Sequence, residues 1–195
     1  MQTLLSDYRE LLPVKFPPFL GRQKYMHTFD LSHPIPAPGF EDYFEVVYNL
    51  CHAAGAREGL AHMTVDEKIV KAGMSQRRPK PHVDGCFIPS VSNWGHDGGG
   101  GRWNHYCNNV AAEKMGRMPV IVAASAVGCR AWRGVFEARP ASDGDLSHLE
   151  LGEGEVLPAN VGFLLSADCV HESMILAEDT QRTFLRIALP VDFRF

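Results

Sequence analysis

Beyond residue 80 the chain breaks into short aliphatic and β-branched runs divided by Gly and Pro, which restricts it to a β-rich fold. The runs are 84–91, 119–127, 129–138, 156–165 and 182–191. In the last, Thr183, Leu185, Ile187 and Leu189 alternate with Arg182, Phe184, Arg186 and Ala188. A period of two puts both arginines on one face of one strand.

The region before these runs differs. Pro13, Pro17, Pro18, Pro34, Pro36 and Pro38 crowd the first forty residues. Proline fixes φ and withholds a backbone donor, so 1–40 is expected to be an extended arm or a set of edge segments packed on the domain. Residues 41–54 carry Phe44, Val47, Tyr48 and Cys51 at helical spacing, opened by Glu41 and Asp42 and stopped by Gly55. Thr64 and Glu67 form a capping-box pattern and Gly73 supplies a stop, which predicts a second helix over 65–72. The 195 residues are therefore expected to form a single domain. Its parts are the arm 1–40, a helical buttress 41–73 and a β core 80–191. Strands after helices suggest a β-sandwich or open barrel with helices packed outside.

Composition narrows the function. Apolar residues are 45% and charged residues 22%, the balance of a soluble globular domain. No apolar run approaches the ~18 residues of a spanning helix, and the acidic start MQTLLSDYRE is unlike a secretory signal. A net charge of −4 argues against coating nucleic acid by bulk charge. The five cysteines are odd in number and contain no CxxC pair, which points to a reduced, cytoplasmic protein.

The chemistry concentrates in two places. In Lys80-Pro81-His82-Val83-Asp84-Gly85, residues two apart on a strand point the same way, so the His82 imidazole and the Asp84 carboxylate converge. They supply two ligands of a 2-His-1-carboxylate facial triad, the arrangement that leaves open positions on non-haem Fe(II). Further on, His171 follows a strand-like run and a turn containing Asp168. Arg182 comes eleven residues after it and Arg186 fifteen.

This order of HxD, distal His and Arg resembles the 2-oxoglutarate/Fe(II)-dependent dioxygenases, and the resemblance covers residues 80–190. It implies a distorted double-stranded β-helix, or jelly-roll, with the helices packed outside the larger sheet. It implies Fe(II) on His82, Asp84 and His171, with 2-oxoglutarate and dioxygen as cosubstrates. Arg182 takes the place of the residue that anchors the distal carboxylate of 2-oxoglutarate, and Arg186 that of a substrate contact. The expected reaction is hydroxylation, or demethylation by the same step, of a small molecule or a side chain, with succinate and CO2 as coproducts. A second partner for the cosubstrate carboxylate is sought among Asn104, His105, Tyr106, Asn108 and Ser125.

Other features extend this reading. Residues 92–109, with four consecutive glycines between Trp94 and Trp103, are expected to form a lid whose candidate substrate contacts are His96, Asp97, Asn104 and His105. The run Gln76-Arg77-Arg78-Pro79-Lys80 is either a solvated face or a contact for an anionic substrate. With Trp94, Trp103 and Tyr106 as stacking surfaces it also admits a nucleobase hydroxylase acting on nucleic acid. Two rivals are a cupin-like metalloprotein that does not use 2-oxoglutarate, and a non-catalytic jelly-roll binding module.

Overall fold

The computed structural model of the protein describes residues 2–34, 37–84, 118–141, 144–190 and 192–195. The described chain is mostly β, in antiparallel sheets, with one α-helix among the described residues. The strands are β1 (Gln2–Ser6), β2 (Tyr8–Pro13), β3 (Gln23–Asp30), β4 (Leu60–Val70), β5 (Val120–Ala124) and β6 (Cys129–Trp132). They continue with β7 (Gly134–Ala138), β8 (Glu155–Val156), β9 (Val161–Leu165), β10 (Val170–Ser173) and β11 (Thr180–Ala188). A 3-10 turn, Glu41–Tyr43, leads into helix α1 (Phe44–Ala54).

Six strands make the large sheet in the order β2-β9-β5-β11-β4-β3, and three make the small sheet in the order β10-β6-β8. β1 and β7 form a separate ribbon. The proline-rich start therefore supplies both edges of the large sheet, β2 and β3, where missing amide donors cost least.

β11 lies inside the large sheet, paired with β4 and β5. Its alternation sorts the interior. Leu185, Ile187 and Leu189 join Ala61, Met63, Val65, Ile121, Ala123 and Leu164 in a core under α1. The other face meets the small sheet, where Val120, Val122, Phe163, Leu165 and Ala188 pack with Ala131, Leu157 and Cys169. Helix α1 buries Val47, Leu50, Cys51 and Ala54, spaced to form one stripe. It ends at Gly55 in the left-handed region (φ 85), with the amides of Gly55 and Ala56 closing on the carbonyls of His52 and Cys51. Where the helix presses on β9, a Cβ at Gly162 would collide with the Leu50 side chain.

The fold corrects the second helix. Residues 65–72 are not helical: most of them lie in β4, inside the large sheet. Glu67 does not cap a helix but accepts the amides of Leu20 and Arg22 and the Tyr43 hydroxyl. The buttress is thus α1 with its 3-10 turn, and 60–70 belongs to the β layer. Two of the expected runs also divide. Residues 129–138 split at Gly134 into β6 and β7, which join different sheets. Residues 156–165 split where Asn160 takes a left-handed conformation (φ 56) and the chain crosses from β8 to β9. Of the run 84–91, only Asp84 lies within the described residues.

Beyond β10, residues 75–84 continue the small sheet as an irregular edge. Bridges join Ser75 to Ile175 and His82 to His171. On the far side, Val83 donates to the Gly144 carbonyl and Leu146 to that of Pro81. The His82 segment is therefore held by backbone bonds from both sides despite Pro79 and Pro81.

Candidate metal centre

The two histidines meet through their backbones. His82 and His171 exchange both amide-to-carbonyl bonds, each 3.0 Å, as a directly opposed antiparallel pair. Side chains of such a pair leave the sheet on the same side, and the two rings lie 4.5 Å apart between centroids. Asp84, two residues on, joins them. One ligand atom from each of His82, Asp84 and His171 lies within 4.8 Å of the others, and the three can hold a metal ion.

The donor set is prepared for a metal. His82 Nδ1 lies 2.7 Å from the Lys80 carbonyl oxygen and His171 Nδ1 lies 3.0 Å from that of Cys169. A carbonyl only accepts, so each Nδ1 carries a proton and Nε2 is the ring nitrogen left for a metal. Burial, then the neighbouring His171, pushes the His82 imidazolium down to about 3, so His82 is neutral at ordinary pH. Burial alone would raise the Asp84 carboxyl. The Arg186 guanidinium, through its charge and its hydrogen bonds, is the main opposing influence, and Asp84 is held far below the usual carboxylate range. Two imidazoles and one carboxylate on a partly buried face suit Fe(II), Mn(II) or Zn(II).

Both arginines of β11 face this interior, in different surroundings. Arg186 donates from Nε (3.0 Å) and Nη2 (2.8 Å) to the same Asp84 oxygen, Oδ2. Its Nη1 rests 3.6 Å from the Met26 sulfur. Arg182 is four residues away, roughly 13 Å along a strand, and is 3% exposed. Its Nε donates to the Ala126 and Val127 carbonyls, its Nη2 to Val127 and its Nη1 to Gln76 Oε1 at 2.6 Å. All of these are neutral oxygens, and burial pulls the guanidinium down to about 10. Phe184 lies between the arginines in sequence, its ring 5.8 Å from the Arg182 Cζ and 5.6 Å from that of Arg77.

The other candidates take simpler places. Ser125 accepts the Thr183 amide through its hydroxyl. Glu172 pairs with Arg130, and Asp179 with Lys71. Arg77 stands 3.8 Å from Asp66 and over the Tyr25 ring as well as Phe184, so the start of the 77–80 run packs on the sandwich. Asn104, His105, Tyr106, Asn108 and the rest of 92–109 lie outside the described residues. Cys129 reaches toward the interior, but burial pushes its thiol up to about 12, away from nucleophilic use. No helix among the described residues is long and apolar enough to cross a membrane.

Three further residues enter this region: Thr64 in place of the expected helix cap, Gln76 from the head of the basic run, and His62, which the sequence does not single out. Gln76 is buried and links the Arg182 guanidinium to the Asp66 carbonyl. His62 and Thr64 are buried on the same face of β4, opposite Ala188 and Arg186 of β11. Their signal is the alternation of polar residues His62, Thr64, Asp66 and Lys68 along β4.

No family model, curated protein or solved structure matches this chain.

Proposed function

We propose that the protein is a 2-oxoglutarate- and Fe(II)-dependent dioxygenase that hydroxylates, or by the same step demethylates, a small molecule or a side chain. The observation that carries this reading is a charge imbalance. The interior that holds His82, Asp84 and His171 also buries Arg182, whose guanidinium has only neutral oxygens as hydrogen-bond partners among the described residues. Burying an unpaired cation is costly, and a carboxylate arriving there would offset the cost through a charge-assisted pair. A dicarboxylate that chelates a metal at one end meets that demand at the other, which favours 2-oxoglutarate over a cupin-like reaction.

Strand order supports the double-stranded β-helix. The inner strands of the large sheet run β9-β5-β11-β4, and the small sheet runs β8-β6-β10 followed by 75–84. Each strand thus has a counterpart next to it in sequence in the opposite sheet, as two wound ribbons require. With Fe(II) and 2-oxoglutarate bound, dioxygen would be consumed in oxidative decarboxylation to succinate and CO2, with one oxygen delivered to a substrate C–H. The chain's own part is placement. His82 and His171 present Nε2, Asp84 supplies the anionic ligand, and Arg182 fixes the far carboxylate. Arg77 is occupied by Asp66 and two rings, which disfavours a phosphate backbone as its partner and so favours a small substrate over nucleic acid.

The test is anaerobic addition of Fe(II) and then 2-oxoglutarate, watching for a visible charge-transfer band. The band is expected in the native protein, lost in Asp84→Ala and weakened in Arg182→Ala. A band of full strength in both variants would overturn the assignment. Substrate-dependent succinate release then identifies the substrate.

A further inference from the structure

We propose that Arg186 is a positioning residue that makes divalent-metal binding at His82, Asp84 and His171 depend on a second, anionic chelating ligand. The proposal rests on the metal site of the preceding section, but not on the identity of the cosubstrate.

It begins with the contact itself. Two N–H groups of Arg186 converge on Oδ2 of Asp84, leaving Oδ1 without a hydrogen bond among the described residues. Asp84 is the only carboxylate that Arg186 meets among the described residues. Both side chains are mostly shielded from water, at 18% and 24% exposure, so the pair is screened far less than one on the surface. Arg186 is also held in place. Its other terminal nitrogen lies against Met26, whose amide bonds Thr64, the residue opposite Arg186 on β4.

Charge arithmetic follows. Imidazole binds a metal as a neutral ligand and the one carboxylate is balanced by Arg186, so the ligand set has a formal charge of zero. A divalent metal entering it keeps its whole charge and meets a guanidinium on its own carboxylate ligand. That repulsion acts on the metal alone. A chelating dianion entering with the metal cancels it, so metal and anion each tighten the other's binding, and by reciprocity in equal measure. Arg186 fixes one carboxylate oxygen as well, as partners of metal ligands commonly do.

The experiment is calorimetric titration of the metal-free full chain with Mn(II), alone and with saturating oxalate, 2-oxoglutarate or succinate. In the native protein oxalate should tighten Mn(II) binding about tenfold or more, with succinate, which lacks the paired chelating oxygens, giving little effect. In Arg186→Gln, Mn(II) alone should bind tighter than in the native protein and the oxalate ratio should fall to about threefold or less. Arg186→Lys keeps the charge and should keep the ratio. It also decides the matter if Arg186→Gln does not fold by circular dichroism. Mn(II) binding that is indifferent to oxalate in the native protein, or an undiminished ratio in Arg186→Gln, overturns the proposal and leaves the metal site standing. Coupling to oxalate but not to 2-oxoglutarate supports the role of Arg186 and overturns the cosubstrate reading instead.

Discussion

The large sheet has two buried faces built from the same strands, and they are made of different material. Under α1, the face carries Ala61, Met63, Val65, Ile121, Leu185 and Ile187, all almost fully buried, with Glu67 as its charged member. Glu67 is tied down completely: Tyr43, Arg22 and the amides of Leu20 and Arg22 all bond its carboxylate. Toward the small sheet, β4 and β11 instead bury His62, Thr64, Asp66 and Arg182, with Arg186 beside them. There, Asp66 Oδ2 has no hydrogen bond, only the more distant Lys68 and Arg77 at 3.4 and 3.8 Å, and Arg182 lacks an anionic hydrogen-bond partner among the described residues. Charges satisfied by the protein itself are structural; charges left partly unsatisfied are what a ligand completes. Stability is therefore expected to reside on the α1 face and ligand affinity on the other.

The largest effects should separate the two faces outright. Leu185→Ala opens a cavity under α1 and should cost about 2–5 kcal/mol in urea unfolding, while leaving the Mn(II) affinity of the folded protein unchanged. His171→Ala should do the reverse. It removes a ligand and should weaken Mn(II) binding by about a hundredfold or more, while metal-free stability shifts by about 1 kcal/mol or less. If Leu185→Ala loosens metal binding as much as His171→Ala does, the division between the faces is wrong.

Much of the site face could be read from the sequence because its chemistry is local. His82 and Asp84 are two residues apart, and the alternation along 182–189 set Arg182 and Arg186 on one side before any fold was known. β4 resisted for a physical reason. Its polar residues His62, Thr64 and Asp66 do alternate with Ala61, Met63 and Val65, but Glu67 breaks the apolar phase and completes the pattern of a capping box. Thr64 instead bonds the Met26 amide across the sheet and Glu67 bonds the arm. The Asp84–Arg186 pair is likewise invisible in sequence, because its members are 102 positions apart and only sheet pairing brings them together.

An intermediate effect tests the claim that Glu67 is structural. Its burial would raise the carboxyl pKa, but the Tyr43 hydroxyl, the Arg22 and Leu20 amides and the Arg22 guanidinium prevail and lower it. A folded pKa below the unfolded value means that the unfolded chain takes up the proton first. The stabilisation is thus present above the unfolded value, 4.5, and lost as pH falls through the folded one. Glu67→Gln should cost about 1–3 kcal/mol at neutral pH, and its deficit against the native protein should shrink as pH falls below that range. Urea unfolding from pH 7 to pH 3 reads both, and a deficit that stays constant would detach Glu67 from the acid response.

The smallest effect belongs to neither face. Lys71 and Asp179 are only 2.6 Å apart, the shortest of the ion-pair distances among the described residues, yet their side chains are 71% and 52% exposed. Water and salt screen such a pair, and holding a lysine in one rotamer costs entropy. Asp179 also accepts the Ala72 amide, a bond that survives loss of the lysine. Lys71→Ala should therefore leave stability close to that of the native protein, and raising the salt concentration should erase any difference. Set beside Asp84–Arg186, whose N–O distance of 2.8 Å is longer, the two pairs separate distance from burial. If Lys71→Ala proves as consequential as Arg186→Gln, then contact geometry rather than shielding from water governs these charges, and the contrast between the faces loses its electrostatic basis.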